Sequence, residues 1–251
     1  MLTIERHQKI LSLLKEKMTV KMQELVDETN ASESTIRRDL TDLEKGKKLK
    51  RIHGGATLLQ KKLDEPTIAE KTIKNSHEKK RIAEKAASLI EDGECIFLDA
   101  GTTTVEIIPF LEGKEVVVVT NGLTNISLLI DLNIETHVIG GYVKSGTRAF
   151  VGRSAIQTLE SFRFDKAFLG VNGLTVQDGC TTPDPEEAFI KEHAIKRSRQ
   201  SYILADHSKF GEVSFSKFSN AENVTIITSK QLDDEYYNDF RTITNVEVVT
   251  L

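Results

Sequence analysis

The sequence predicts a two-module α/β chain: an N-terminal winged helix-turn-helix joined to a larger, mostly parallel α/β domain. Three observations lead there. Residues 1–62 hold fourteen Lys/Arg against nine Asp/Glu, although the whole 251-residue chain has a formal net charge of −4. A basic end on an acidic chain marks a segment suited to polyanions. Three helical stretches in that end are followed by a basic hairpin. Beyond residue 79, short Val/Ile-rich runs alternate with helical patterns, the mark of a buried parallel sheet.

The elements follow in order. Ile4, Ile10, Leu11, Leu13 and Leu14 recur at helical spacing over residues 4–16. Met18 to Met22 reads as extended, and MQELVDET as a two-turn helix broken at Asn30-Ala31-Ser32. Ser32 is an N-cap for a helix running from Glu33 to Lys45, which Gly46 stops. Leu49–Ile52 and Ala56–Leu59 flank His53-Gly54-Gly55, a hairpin signal. The expected DNA-binding-type module is thus 1–59. Residues 60–78, polar and carrying a proline, read as a linker with some helix, and 79–251 as the second domain.

In that domain KKRIAEKAASLIED is an amphipathic helix and ECIFLDAG a strand. TTTVEIIPFL reads as a helix that Pro109 bends or ends. EVVVVTNG, ETHVIGG, KAFLGVNG, SYILAD, NVTIITS and VEVVTL read as strands. LTNISLLID, RSAIQTLESF, AFIKEHAIKRSR and DDEYYNDF read as helices.

On a helical wheel Ile36, Leu40 and Leu43 share one face. Ser34, Arg38 and Thr41 fall opposite, with Thr35 and Arg37 flanking. Guanidinium forks and hydroxyls suit guanine edges and phosphates. Lys50, Arg51 and His53 on the hairpin, with Lys47 and Lys48, can lie along a flanking backbone. A merely solvated face is the alternative; the capped helix, the basic hairpin and the local charge favour contact with double-stranded DNA.

These residues also carry a family resemblance. Arg6, Ile10 and Leu14 at four-residue spacing, then Ser32-x2-Thr35-Ile36-Arg37-Arg38-Asp39-Leu40 and RIHGGA at 51–56, resemble the opening of DeoR-family bacterial transcriptional repressors. The likeness runs along the chain and is greatest to the branch that controls fructose operons.

Several predicted strand ends gather small and polar residues, where open α/β sheets bind ligands. Asp99, Gly101, Thr102, Thr103 and Thr104 precede a helix start and form a candidate phosphate cradle, with simple capping as the alternative. Thr120, Asn121, Gly140, Gly141 and Asn172 end other strands. Arg148 and Lys209 can neutralise phosphate; Asp99, Asp206 and Glu186 (or its neighbour Glu187) can accept sugar hydroxyls. DAGTTT, TNG, IGG, GVNG and LADHSKFG resemble the DeoR effector domain. That resemblance implies a fold similar to ribose-5-phosphate isomerase and a sugar-phosphate inducer, fructose 1-phosphate for the fructose branch. Two rivals stand beside the repressor. One is an isomerase-like enzyme using Asp99, Glu186 and Lys209; the other is a DNA binder that senses nothing.

Hydrophobic content of 39% and charged content of 29% exclude a disordered chain. No apolar run reaches membrane-spanning length and no secretory pattern opens the chain, so a cytoplasmic location is expected. Cys95 and Cys180 are expected to stay reduced, and Cys180 in GCTTPDPEEA reads as a loop thiol. The six histidines lack ligand spacing, so no metal and no cofactor is expected. Phe162 and Phe164 read as core. A homo-oligomer is expected, because single helix-turn-helix modules bind weakly.

Overall fold

The computed structural model describes residues 2–17, 19–46, 48–52, 54–58 and 67–250. The chain divides into two compact units, Met1–Lys61 and Lys62–Leu251.

The first unit runs α1 (Thr3–Lys17), β1 (Thr19–Lys21), α2 (Met22–Thr29), α3 (Glu33–Lys45), β2 (Leu49–Ile52) and β3 (Gly55–Leu58). Met22 opens α2 rather than extending the strand before it. Ile10, Leu14, Leu25, Ile36, Leu40 and Leu49 are fully buried and form the centre of its core. Asn30 turns the chain between α2 and α3 in the left-handed conformation, φ 51°. The Ser32 hydroxyl then accepts the Thr35 N–H at 3.3 Å and caps α3. Gly46 ends α3 at φ −77°, an ordinary conformation that needs no glycine. In the three-stranded antiparallel sheet β3 lies between β1 and β2. Gly55 is required there: a Cβ would stand 2.2 Å from the Val20 carbonyl oxygen. Three helices with this sheet are the winged helix-turn-helix that the sequence predicts.

The second unit begins with two helices, α4 (Ile68–Ile73) and α5 (Ser76–Ser88). Residues 67–78, which the sequence reading leaves in the linker, are therefore largely helical, and they carry the buried Glu78. The main sheet is built from β4 (Cys95–Leu98), β5 (Val117–Thr120), β6 (Glu135–Val138), β9 (Phe164–Gly170), β12 (Ser198–Leu204), β14 (Thr225–Ser229) and β15 (Val246–Val249). Its order is β15-β14-β12-β9-β4-β5-β6, and every pairing is parallel. One face is covered by α5, a 3-10 helix (Val105–Leu111) and α6 (Leu123–Asp131), through Ile82, Ala86, Ile107, Ile108 and Leu129. The other face is covered by α7 (Arg153–Glu160), α8 (Pro185–Lys196) and α9 (Asp234–Arg241), through Ala155, Leu159, Ile190, Ala194 and Phe240.

Four features differ from expectation. Pro109 lies inside the 3-10 helix, so the segment after Thr104 is not the α-helix predicted there. A short hairpin, β7 (Tyr142–Val143) with β8 (Phe150–Val151), follows β6. A small antiparallel sheet joins β10 (Gly173–Thr175), β11 (Gly179–Thr182) and β13 (Ser216–Ser219). Cys180 lies inside β11, fully buried, rather than in a loop; burial pushes its thiol up to about 12, so it stays protonated and inert.

Candidate functional site

On the first unit the outward side of α3 carries the expected groups. Ser34 and Thr35 turn their hydroxyls to Ser32 Oγ, at 3.0 and 2.8 Å. Arg37 is exposed but leans back on Glu33, with Nε 3.0 Å from Oε1. Arg38 is exposed, and no partner for its guanidinium is found among the described residues. Thr41 Oγ1 donates to the Arg37 carbonyl and accepts from Arg51 Nη1, each at 2.8 Å. Arg51 also donates its N–H to Glu44 Oε1 at 2.8 Å, which ties the wing to α3. Lys50 is half-buried beside it on β2. Lys47, His53 and linker residues 60–66 lie outside the described residues.

Asp39, next to Arg38, does something else. It is 2% exposed and accepts Arg6 Nη2 at 3.0 Å, Arg6 Nε, and a contact from His7 Nε2 at 3.1 Å. Burial works against its charge, but Arg6 and His7 outweigh that and hold the carboxyl below the usual range. The Arg6…Asp39 pattern in the sequence is therefore a clamp that fixes α3 on α1.

In the second unit, the chain leaves β4 towards β5 and β6 on one side, while β9, β12, β14 and β15 lie on the other. The crevice where strand order reverses therefore opens at the carboxyl ends of β4 and β9, where such sheets bind ligands. Asp99 ends β4. Its Oδ2 accepts the Gly170 N–H at 3.0 Å and the Lys191 ammonium, in a pair buried on both sides. Gly101 is confined, since a Cβ would stand 2.9 Å from Thr104 Oγ1. Thr104 spends its hydroxyl on the Asp99 and Gly101 carbonyls. Thr103 is 7% exposed, whereas Thr102 is half-buried and takes the Lys79 ammonium at 3.1 Å.

Lys79 is the centre of a second set of groups. It reaches from α5 both to Thr102 and to the Lys71 carbonyl at the end of α4. Burial lowers its pKa to about 8 against the pull of Asp206, and the charges of Lys209, Lys71 and Lys74 lower it further. Burial and Lys74 also hold Lys209 below the ordinary lysine value, against Asp206, Glu212 and Glu78. Asp206 is 2% exposed. Its Oδ1 accepts Asn75 Nδ2 at 2.8 Å, Ser208 N–H at 3.0 Å and Ser208 Oγ at 2.5 Å. Burial opposes its ionisation, yet Lys209, Ser208, Asn75 and Lys79 hold it below the carboxylate range. The ammonium groups of Lys79 and Lys209 share the field of Asp206, with Lys71 and Lys74 adding positive charge and Glu78 and Glu212 adding negative charge.

Beneath it, Glu78 is buried and accepts His207 N–H at 2.7 Å and Ser229 Oγ at 2.7 Å, with His207 Nδ1 at 2.8 Å. The hydrogen bond to Glu78 raises the His207 pKa. Glu78, Asp206 and His207 bring ligand-type atoms within 4.8 Å of one another. A cation there competes with the bonds just named and is repelled by Lys79 and Lys209.

The remaining expected residues scaffold the loops. Thr120 Oγ1 donates to the Leu98 carbonyl at 2.6 Å and accepts from Gly122 and Asn125. Asn121 Oδ1 accepts the Ala100 N–H at 2.8 Å. Gly140 and Gly141 turn the chain at φ 65° and 104°, and a Cβ on Gly141 would stand 2.5 Å from the Val151 oxygen. Arg148 is exposed at φ 53° in the β7–β8 turn. Asn172 Oδ1 accepts the Thr182 hydroxyl at 3.2 Å. Glu186 is exposed. Its neighbour Glu187 is the buried one, accepting Lys144 Nζ at 3.0 Å and Thr147 Oγ1 at 2.6 Å. Thr102, Asp206 and Lys209 thus come together, while Gly140, Gly141, Arg148 and Glu186 belong to the hairpin and the start of α8.

Sequence reasoning missed Lys79, Asn75, Glu78 and Lys191. A signal existed: Lys79 shares its helical stripe with Ile82, Ala83 and Ala86, so a cation stands where the period demands an apolar side chain. A concavity of about 560 Å³ on the solvent side of α5, lined by His77, Lys80, Arg81, Glu84 and Phe110, holds none of the convergent groups described above.

Residues 6–62 match a DeoR-like helix-turn-helix domain and residues 74–230 a DeoR C-terminal sensor domain. The chain is 50% identical over 99% of both lengths to the uncharacterized HTH-type transcriptional regulator FruR of Bacillus subtilis. It is 38% identical to a lactose phosphotransferase system repressor of Lactococcus lactis, over 96% of each chain. Among solved structures, ribose 5-phosphate isomerase A from Methanocaldococcus jannaschii matches 54% of this chain and 55% of its own, at TM-score 0.41 and 18% identity.

Proposed function

The chain belongs to the DeoR family of transcriptional regulators, and we propose that it is a cytoplasmic repressor of a sugar-utilisation operon, released from its operator by a phosphorylated sugar. Fructose is the sugar favoured, with fructose 1-phosphate as inducer; the similarity to FruR supports it. The observation that carries the sensing half is the Lys79 ammonium on Thr102, with Lys209, Lys71 and Lys74 close enough to lower its pKa, where an added phosphate dianion would relieve like-charge stress. Thr102 and Thr103 supply hydroxyls to that phosphate, and Asp206 accepts from a sugar hydroxyl. On DNA, Arg38 reads a base edge. Ser34, Thr35, Arg37, Thr41, Lys50 and Arg51 hold phosphates and register. The ligand induces by favouring a state of weaker operator affinity, and a homo-oligomer places two or more recognition helices on repeated half-sites.

An isomerase needs a base that titrates near neutrality. Asp206 is held below the carboxylate range, and the Asp99 carboxylate is taken by Lys191 and Gly170; both favour a sensor over an enzyme. The test is a panel of sugar phosphates screened by thermal shift, each hit then titrated into an operator complex followed by fluorescence anisotropy. Stabilisation and release by one phosphorylated sugar are expected. Sustained turnover of the hit, or no response to any phosphorylated sugar, overturns the reading.

A further inference from the structure

Helix α6 of the sensor unit is poor in charge. The sheet ends at β6, whose outer edge pairs with no other strand among the described residues. The Ile139 N–H turns inward to the Thr120 carbonyl at 3.2 Å. Strand periodicity then sends the N–H and C=O of Thr136 and Val138 outward. Beside β6 packs α6, LTNISLLID, whose single charged residue is Asp131. Its inward residues are Asn125 and Leu129. Leu123, Ile126 and Ile130, at i, i+3 and i+7, form a second stripe that joins none of the core clusters. Ile130 is 58% exposed and Leu123 43%. An open edge next to an apolar helix face is a template for another strand, and β6 carries neither the lysine nor the proline that commonly blunts one.

We propose that this edge is where a second copy of the chain docks: β6 against β6, antiparallel, about a two-fold axis at Thr136, with the α6 stripes packing across the axis. The side chains of β6 suit that partner. Glu135 and His137 are both exposed and lie on the same face of the strand, with Nε2 3.4 Å from Oε1 within it. A dyad at Thr136 sets Glu135 opposite the partner's His137 and His137 opposite the partner's Glu135, so each acid meets a base. Thr136, whose N–H and C=O both point outward, exchanges both backbone bonds with its own copy. The opposite edge, β15, is unsuited to the same use. It packs beside α9, which carries Asp234, Glu235 and Asp239 behind the capping Asp233, and self-pairing there would bring two acidic helices together. The inference gives a surface to the proposed oligomer and stands apart from the sugar-phosphate reading.

The test uses the full chain in sedimentation velocity at micromolar concentration. The unmodified protein is expected to be at least a dimer, and Ile130→Glu with Thr136→Pro to dissociate at least tenfold more readily, with its circular dichroism unchanged. Because the double variant can fail to fold, a cross-link is read as well. Residues facing each other in such a pair have Cα atoms about 5.5 Å apart, within disulfide reach. In a Cys95→Ser background, Thr136→Cys is therefore expected to form an intermolecular disulfide under mild oxidation, and Val248→Cys on β15 to form none. A monomer overturns both the interface and the oligomer. Retained association in the folded double variant, or cross-linking at position 248 in place of 136, overturns the interface alone.

Discussion

Arg6 and Asp39 close on each other across the first unit, Nη2 to Oδ1 at 3.0 Å, with the carboxylate 2% exposed. The bond joins the first turn of α1 to the middle of α3, so the helix offered to DNA takes its orientation partly from a buried ion pair. Removing Arg6 leaves the buried Asp39 carboxylate with the His7 contact alone. Arg6→Ala should therefore lower the unfolding free energy of this unit. It should weaken operator binding at every sequence alike. Urea denaturation with operator titration checks it; a loss under about 0.5 kcal/mol, the scale of a surface substitution, sinks the clamp.

The neighbouring arginines are expected to separate in their behaviour. Arg38 is exposed without a partner among the described residues, while Arg37 leans on Glu33. Arg38→Ala should cost about 1–3 kcal/mol of operator affinity and relax preference at one base pair. Arg37→Ala should cost less and mainly reduce the salt slope, by about 1. Anisotropy titrations on single-base operator variants, run at several salt concentrations, separate the two. Equal losses on all sequences for Arg38→Ala would make it a phosphate contact instead.

For the sensor, Lys79→Ala or Lys209→Ala should leave operator binding intact and abolish release by the sugar phosphate. The pH dependence follows from Lys79, whose pKa lies at about 8. Its charge is present below that value and lost above it. A phosphate monoester, with its second pKa near 6, stays a dianion throughout that range. Ligand affinity should therefore fall as pH rises through about 8, and this fall should vanish in Lys79→Ala. In the unliganded protein the sign reverses. A lysine with a depressed folded pKa destabilises the fold while charged, so this group favours stability as pH rises from about 8 towards 10.5.

Glu78 makes a prediction of another kind. It holds the His207 N–H, the His207 ring and Ser229 together beneath the lysine cluster. Glu78→Gln should cost about 1–3 kcal/mol, the usual penalty for breaking buried hydrogen bonds. The His207 pKa is raised by Glu78, so that pair's contribution is full below the ordinary value of 6.5 and is lost as pH rises through the folded value. The gap between wild type and variant should accordingly be widest in mildly acid solution. Melting curves at pH 5.5 and 8.5 that show the same gap would remove His207 from the account.

Periodic, local patterns were legible before the structure. Ile36, Leu40 and Leu43 mark the inner face of α3 by spacing alone, and Ser32 marks its start. The Val/Ile runs mark the parallel strands because both sheet faces are covered. Non-local pairing was not legible. Strands β7, β8, β10, β11 and β13 are two to four residues each, too short to show a period, and β13 exists only through its distant partner β11. The choice between Glu186 and Glu187 depends on where α8 begins, since one residue turns a helix by about 100°; Asp184 sets that phase by accepting the Glu187 N–H at 3.0 Å. The lysine cluster needed the fold itself, because Lys79 and Lys209 are 130 positions apart. Thr120, Asn121 and Thr104 were recognised as polar strand-end residues, but only the structure shows that their hydrogen bonds go to the backbone of the loops they hold.

The ammonium of Lys79 holds the Lys71 carbonyl, in the last turn of α4, as well as Thr102. Any anion that draws it away must exchange one hydrogen bond for another, so the net affinity is smaller than the new contact alone implies. By linkage the exchange is symmetrical. Whatever steadies the end of α4 competes with the anion, and whatever loosens it helps the anion bind.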